Sequence, residues 1–152
     1  MREIEFRAKT IPKLLGVIDN TPQYTNSEWV YGYYAPIYLF EKDGKSKNTY
    51  CIISDKIIGQ QEMMGCGVNS GLPVAYMILQ DSLGQYTGLK DKNGKKIFEG
   101  DIILYDNVQK VVVFFENGQF VVNHYAINLL CERCNKSEVI GNLYDNPELI
   151  GE

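Results

Sequence analysis

The segment of residues 84–103 constrains the fold more than any other part of this chain, because it combines closely spaced glycines with a turn and a strand. Asp91-Lys92-Asn93-Gly94 is a tight-turn sequence, and the apolar run after Asp101 predicts a buried strand. Glycine adopts positive φ angles at no steric cost, so we expect three positions to shape the backbone: Gly88, Gly94 and Gly100. We expect the Asp101 carboxylate to accept hydrogen bonds from nearby loop N–H groups. The segment lacks the Gly-x-x-x-x-Gly-Lys-Ser/Thr pattern of a phosphate-binding loop, so it predicts a structural role.

Short β-type runs separated by turn residues recur along the chain and predict a mainly β fold. Residues 3–8 alternate between charged and apolar side chains, which is typical of a half-buried strand. Residues 29–34 and 37–42 are aromatic and β-branched, and Asp43-Gly44 after them predicts a hairpin. Residues 9–28 predict a loop with a short helical turn near 13–15, and 55–72 fit no clear pattern. Further strands are predicted at 48–54, 74–80, 101–105, 108–116, 119–123 and 138–140. The apolar run at 74–80 is also compatible with a buried helix, and residues 125–134 with either a helix or a strand.

The regular spacing of strands and Gly/Asn turns predicts a small barrel in the C-terminal half. We expect an N-terminal β-rich lobe over residues 1–80 and the barrel with a C-terminal extension over 81–152. Few short helices are expected, one of them opening at Pro147. A length of 152 residues also accommodates one continuous domain, so both arrangements stay open.

Two long motifs in this chain resemble the YopX family. The first is GQYTGLKDKNG at 84–94 with IFEGDI at 97–102, and the second is VIGNLYDNPEL at 139–149. IEFRA at 4–8 and WVYG at 29–32 also resemble the N-terminal pattern of that family. The resemblance implies a phage or prophage accessory protein, made inside a Gram-positive host, with a mainly β fold containing an SH3-like barrel. It carries over no catalytic residue, because the family has no established biochemical function.

Charge and composition narrow the classes of function. A formal net charge of −4 and a pI of about 5.1 disfavour broad, charge-driven binding of nucleic acid. No apolar run approaches the roughly 20 residues that span a bilayer, and the N-terminus lacks the apolar core of a signal peptide. We therefore expect a cytoplasmic protein, without membrane contact, whose four cysteines are reduced thiols.

The aromatic run supplies the candidate binding residues. On a strand, Trp29, Tyr31 and Tyr33 share one face, while Val30 and Tyr34 lie on the other. Faces rich in Trp and Tyr are enriched at protein interfaces, because each ring buries a large area at low entropic cost. The same rings could form an aromatic cluster within the fold, or stack on the bases of a single strand. Among functions, the acidic net charge favours a protein interface, with another protein or a second copy of the chain.

Four lysines near the turn offer an alternative interface with nucleic acid: Lys90, Lys92, Lys95 and Lys96. Binding through phosphate neutralisation needs an uncompensated cluster of cations. Within residues 81–101 the lysines are balanced by four acids: Asp81, Asp91, Glu99 and Asp101. Nucleic acid is therefore the second hypothesis for partners.

Cysteines and the single histidine give a weak zinc signal. Cys131 and Cys134 have knuckle spacing, and His124 lies seven residues before them. A structural zinc usually takes two such pairs, whereas Cys51 and Cys66 are far apart in sequence. We therefore predict ordinary thiols, a structural histidine, and no metal or cofactor.

The sequence as a whole favours a non-catalytic protein-interaction module. A nucleic-acid-associated factor in phage replication or gene control is the alternative. An enzyme of unidentified class is the third hypothesis. It ranks last because the chain contains no nucleophile elbow, metal triad or paired-acid motif.

Overall fold

The protein is described by a computed structural model over residues 4–12, 14–18, 21–24, 26–40, 46–57, 73–122 and 136–151. These residues are mainly β and contain no α-helix, which confirms the predicted fold class at this level. Two short 3-10 helical turns are described from end to end, Gln80–Ser82 and Pro147–Leu149. Accordingly, no helix in the described part of the chain is long and apolar enough to cross a membrane.

The chain divides into two compact units. The N-terminal unit comprises residues 5–83, and the C-terminal unit comprises residues 84–152 together with 1–4. Compactness alone does not establish independent folding, so the division into domains at residue 80 stays a prediction.

Six strands are described in the N-terminal unit. Four of them form antiparallel ladders in the order β6-β5-β4-β1, and β2 pairs with β3. The β4–β5 register runs from Tyr33↔Ile53 to Phe40↔Ser46, so the hairpin predicted around Asp43-Gly44 is confirmed. The turn itself, residues 41–45, lies outside the described residues. The strands are β1 (Phe6–Lys9), β2 (Leu14–Ile18), β3 (Thr21–Tyr24), β4 (Trp29–Phe40), β5 (Ser46–Ile57) and β6 (Pro73–Met77).

The loop predicted over residues 9–28 was wrong in its middle part. Here β2 and β3 form a two-stranded antiparallel ladder in which Pro22 faces Val17, and Leu14 begins a strand rather than a helical turn. Pro22 suggested a loop because proline cannot donate a ladder hydrogen bond. A two-stranded ladder has only edge strands, where proline is tolerated, so the proline does not exclude a strand.

The N-terminal core lies against one face of the β5-β4-β1 ladder. Tyr34 and Tyr50 stack there with ring centroids 5.3 Å apart and planes inclined by 16°. Burial raises the pKa of Tyr34 above its ordinary value, and Tyr50 raises it further. The buried centre is Ala8, Ile52 and Ile78, with Phe6, Val30, Tyr34, Tyr50 and Leu83 packed against it.

The C-terminal unit consists of a hairpin and a four-stranded antiparallel sheet. Two hairpin turns of the sheet have positive φ angles at both central residues: 47° and 59° at Asp106 and Asn107, 51° and 79° at Asn117 and Gly118. Such turns follow the natural twist of the strands, which explains why Asn and Gly occur there. The hairpin is β7 (Gly84–Lys90) and β8 (Lys96–Phe98); the sheet order is β11 (Gln119–Val122), β10 (Gln109–Glu116), β9 (Asp101–Tyr105) and β12 (Ser137–Asn142).

One apolar core joins the hairpin and the sheet of this unit. Leu89 and Ile97 of the hairpin belong to the same cluster as Val139 of β12. The other members come from β9, β10 and β11: Ile103, Val111, Val113, Phe120 and Val122. The ladders of the described residues do not close into a barrel, so the fold is established only as mainly β.

Candidate interaction surface

The pairing of β1 with β4 places the predicted aromatic residues opposite the core. In this ladder Arg7 lies across from Tyr31 and Lys9 across from Trp29. Because side chains alternate along a strand, Tyr33 shares their face, whereas Val30 packs on the core. Tyr31 is 45 % exposed and Tyr33 is 65 % exposed. We call this set the aromatic face: Arg7, Lys9, Trp29, Tyr31 and Tyr33.

Two cations lie beside the Trp29 ring on the aromatic face. The Arg7 guanidinium carbon is 4.7 Å from the ring centroid, and the Lys9 Nζ is 5.7 Å from it. A cation over an aromatic face contributes about 0.5–2 kcal/mol, the larger value where water is excluded. Arg7 is only 6 % exposed. Trp29 is therefore held by its neighbours, and the two tyrosines are the members that face outward.

The surface continues from the aromatic face towards β6. Ile53 of β5 lies across from Tyr33 on one side and across from Ala75 on the other. Ile53 is half-buried, Ala75 is exposed, and Met77 on the same face is 40 % exposed. The part of this face on β5 and β6 is therefore apolar.

Cys51 lies on this side of the sheet but is fully buried. Its Sγ donates to the Ala35 carbonyl oxygen at 3.5 Å, and burial raises the pKa of its thiol. A neutral, buried thiol is a poor nucleophile and a poor metal ligand. No cluster of three or more metal-ligating side chains occurs in the described part of the chain. The zinc candidates Cys131, Cys134 and His124 lie outside it.

The predicted lysine cluster falls on the β7–β8 hairpin, where its members differ in environment. Lys92 Nζ forms an ion pair with Glu138 Oε2 at 2.8 Å. Lys96 Nζ lies 5.1 Å from the centroid of the Tyr86 ring, and Lys90 faces Lys96 directly across the ladder. Lys90 and Lys95 are exposed. A pair of like charges at directly opposed positions is unfavourable, so this pair is the unusual feature of the hairpin.

The glycine-rich segment has the backbone geometry that its sequence predicts. The φ angles of Gly88, Gly94 and Gly100 are 87°, 82° and 80°. Asp101 is buried, and its Oδ2 accepts the Phe98 N–H at 2.8 Å. These positions shape the turn and the start of β9.

Asp91 is the buried carboxylate that links this turn to β12. Its Oδ1 accepts the N–H groups of Asn93 and Lys95 at 2.8 and 2.9 Å, and its Oδ2 accepts the Val139 N–H at 3.0 Å. Burial alone would raise the pKa of Asp91, but these three N–H groups and the nearby Lys95 charge together lower it. An ionised Asp91 therefore fixes the hairpin to a strand 48 residues further along the chain.

The second motif folds back on the first. The Leu143 N–H donates to the Gly100 carbonyl oxygen at 2.9 Å. Asn142 Oδ1 accepts the N–H groups of Tyr144 and Asp145 at 3.0 and 2.9 Å, closing the turn before Pro147. Both motifs thus make connections within the C-terminal unit.

Comparison with known proteins decides the family. Residues 39–151 match the family described as YopX protein. The chain belongs to the YopX family. It is also similar to the crystal structure of protein EF1440 from Enterococcus faecalis, with 24% sequence identity, 99% of each chain covered and a TM-score of 0.48. The comparison with curated proteins found no match.

The YopX match includes both long motifs but begins after the aromatic face. Trp29, Tyr31 and Tyr33 precede residue 39, as do the similarities noted at 4–8 and 29–32. The family assignment therefore rests on segments whose contacts are structural. A functional role for the aromatic face has to be argued from the exposure and contacts of its own side chains, because the family match does not include them.

Sequence reasoning found the tyrosines but missed the cations beside Trp29. Arg7 and Lys9 were visible as alternate residues on the polar face of β1. The register that sets them across from Tyr31 and Trp29 depends on pairing between strands about twenty residues apart in sequence. Alternation alone shows which side chains share one face of a strand, but it does not show which strand pairs with it.

Proposed function

We propose that this YopX family protein is a phage- or prophage-encoded accessory protein that binds another protein through its aromatic face, without catalysis, in the host cytoplasm. The observation that carries the proposal is the 65 % exposure of Tyr33 beside Tyr31 on the sheet face opposite the core. Tyr, Trp and Arg dominate the energetic centres of protein interfaces. An SH3-like character of the C-terminal unit is part of the proposal, and the core shared by hairpin and sheet supports it.

Neighbouring contacts make the aromatic face suitable for binding. Trp29 is held by Arg7 and Lys9, so little side-chain entropy remains to be lost there on association. Tyr31 and Tyr33 each combine an apolar ring with a hydroxyl that can donate or accept. A rigid surface of this kind is the usual centre of an interface.

The test is recovery of partners from phage-infected host cells by the full chain and by a Tyr31→Ser/Tyr33→Ser variant. Removing an energetic centre worth about 2 kcal/mol lowers affinity about thirtyfold, so we expect quantitative mass spectrometry to show loss of the partner. Phe115→Ser is the matched control, since Phe115 is 49 % exposed on β10 of the other unit. Equal recovery by the double variant and the wild type would count against the proposal.

The second candidate is a nucleic-acid-associated factor that uses the β7–β8 hairpin. Lys90 directly opposite Lys96 favours it, because this repulsion is a stability cost that phosphate binding would offset. Lys95, exposed beside Lys96, adds a third cation.

The hairpin hypothesis predicts opposite effects of Lys90→Glu on stability and binding. Replacing a like-charge pair by an opposite-charge pair is expected to stabilise the hairpin by about 0.5 kcal/mol. Binding of fluorescent single- and double-stranded DNA should weaken. The slope of log affinity against log salt concentration should fall by about the value expected for one phosphate contact. Lys110→Glu, at an exposed position on β10, is the control. Anisotropy titrations without salt-sensitive binding by the wild type would eliminate this candidate.

A further inference from the structure

Two Asn-Gly dipeptides occur in turns of the C-terminal unit, Asn93-Gly94 and Asn117-Gly118. Such a dipeptide is chemically labile, because glycine has no side chain to keep its backbone nitrogen from attacking the amide of the preceding asparagine. Both dipeptides are exposed, and a Cβ added to either glycine would have no atom within 4 Å. Access of water and steric room therefore do not distinguish the two sites.

Hydrogen bonding does distinguish them, because the turn at Asn93 is held by Asp91. The Gly94 N–H donates to the Asp91 carbonyl oxygen at 2.9 Å, and the Asn93 N–H donates to the Asp91 carboxylate at 2.8 Å. For the Gly94 nitrogen to attack, it has to lose its proton and turn towards the Asn93 side chain, which disrupts this arrangement. The negative charge of the ionised Asp91 also opposes loss of that proton. Asn93 is therefore protected by its own turn.

The turn at Asn117 has less support. Among the described residues, the Gly118 N–H donates no backbone hydrogen bond. Asn117 and Gly118 connect Glu116 to Gln119, which form the last opposed pair of the β10–β11 ladder. Opening of this turn disrupts only the end of a hairpin, and such local opening costs much less than global unfolding. The Gly118 nitrogen is therefore the freer of the two nucleophiles.

We propose that Asn117 is a site of non-enzymatic deamidation, in which the Gly118 nitrogen attacks the side-chain amide carbon of Asn117 and water completes the reaction. The nitrogen loses its proton to solvent, a C–N bond closes a succinimide ring, and the side-chain nitrogen takes up a proton and leaves as ammonia. Water then adds to either ring carbonyl and opens the ring, which gives aspartate or isoaspartate at position 117. Each conversion consumes one water and releases one ammonia, and no electrons are transferred.

Isoaspartate changes the β10–β11 hairpin, because it carries the main chain through the former side-chain carbon. The two-residue turn between Glu116 and Gln119 thereby gains one methylene group and no longer matches the twist of the strands. We expect the end of this ladder to loosen, where the rings of Phe115 and Phe120 lie 5.0 Å apart. The inference does not depend on the proposed binding function, because Asn117 and the aromatic face belong to different units.

The test compares the two sites within one molecule, so Asn93 is the internal control. The full chain is incubated near neutral pH, and peptide mapping by mass spectrometry follows the conversion of both asparagines with time. In the folded protein we expect Asn117 to convert about tenfold faster than Asn93, because only at Asn93 does a hydrogen bond to a charged group have to be broken. In urea that unfolds the chain, the ratio of the two rates should fall towards one.

The products identify the route, since direct hydrolysis of the amide gives aspartate alone, whereas the succinimide also gives isoaspartate. Isoaspartate at position 117, detected with an isoaspartyl methyltransferase, would support the inference. Equal rates at the two sites of the folded chain, or aspartate without isoaspartate, would overturn it. A ratio that stays the same in urea would also overturn it, because the neighbouring residues in sequence, rather than the contacts of Asp91, would then set the difference.

Discussion

Asp91→Asn is expected to destabilise the C-terminal unit by about 3 kcal/mol, because hydrogen bonds to a charged group contribute about 1.5–3 kcal/mol each. The carboxylate accepts three backbone N–H groups, and it is only 6 % exposed. An amide of the same shape keeps one oxygen for Asn93 and Lys95 but turns its NH₂ group towards the Val139 N–H. Two donors then face each other in a buried site, and the hydrogen bond from the Val139 N–H to residue 91 is lost.

Hydrogen exchange measures this effect at the groups concerned. The N–H groups of Asn93, Lys95 and Val139 should exchange faster in Asp91→Asn than in the wild type. Asp106→Asn is the control, because Asp106 lies in an exposed turn with a φ of 47°, which asparagine tolerates well. Unchanged exchange at Val139 in Asp91→Asn would show that the buried carboxylate does not hold β12.

The same carboxylate predicts how stability changes with pH. Its pKa is lowered in the folded protein, while the unfolded chain has a value of about 3.9. Its stabilising contribution is therefore fully present above about pH 4 and is lost as the pH falls through the folded pKa. Denaturation curves of wild type and Asp91→Asn should converge on acidification. A constant difference between the two curves down to strong acid would contradict the assignment.

Local chemistry made the turns and strand faces predictable. Asn117-Gly118 is favourable at two successive positive φ angles, so the hairpin could be located from two residues. Alternation within residues 29–34 likewise put Tyr31 and Tyr33 on the face away from Val30. Both inferences need only the conformational preferences of neighbouring residues.

Contacts between distant segments could not be predicted in this way. Asp91 was visible as a turn residue, but its third bond goes to Val139, 48 residues away. The position of Arg7 over Trp29 also depends on strand register. Register and sheet order are set by the fold as a whole, so the sequence indicated a mainly β chain without specifying which strands adjoin.

Gly32→Ala is expected to destabilise the N-terminal unit by about 3 kcal/mol or more, because Gly32 has a φ of 154° and no room for a Cβ. A Cβ at this position would overlap the carbonyl oxygen of Ile53 on β5. That oxygen belongs to the backbone and cannot rotate away as a side chain does. Accommodating the methyl group therefore requires β4 and β5 to separate locally.

The only tryptophan of the chain reports this change directly, since Trp29 lies three residues from Gly32 on the same strand. Urea denaturation followed by Trp29 fluorescence should show a midpoint well below that of the wild type. Gly118→Ala is the control, because Gly118 has a φ of 79° and nothing within 4 Å of its Cβ position. It should cost the C-terminal unit only about 1–2 kcal/mol, and it should leave the Trp29 environment unchanged.

Gly32 also connects stability to the proposed interface, because it separates the two exposed tyrosines. Opening β4 from β5 would move Tyr33 relative to Ile53, its partner across the ladder. Under conditions in which Gly32→Ala remains folded, it should therefore recover less of the partner that depends on Tyr31 and Tyr33 than Gly118→Ala does. Equal recovery by the two variants would mean that the spacing of Tyr33 and Ile53 is unimportant for recognition, and Ile53 would lie outside the proposed interface.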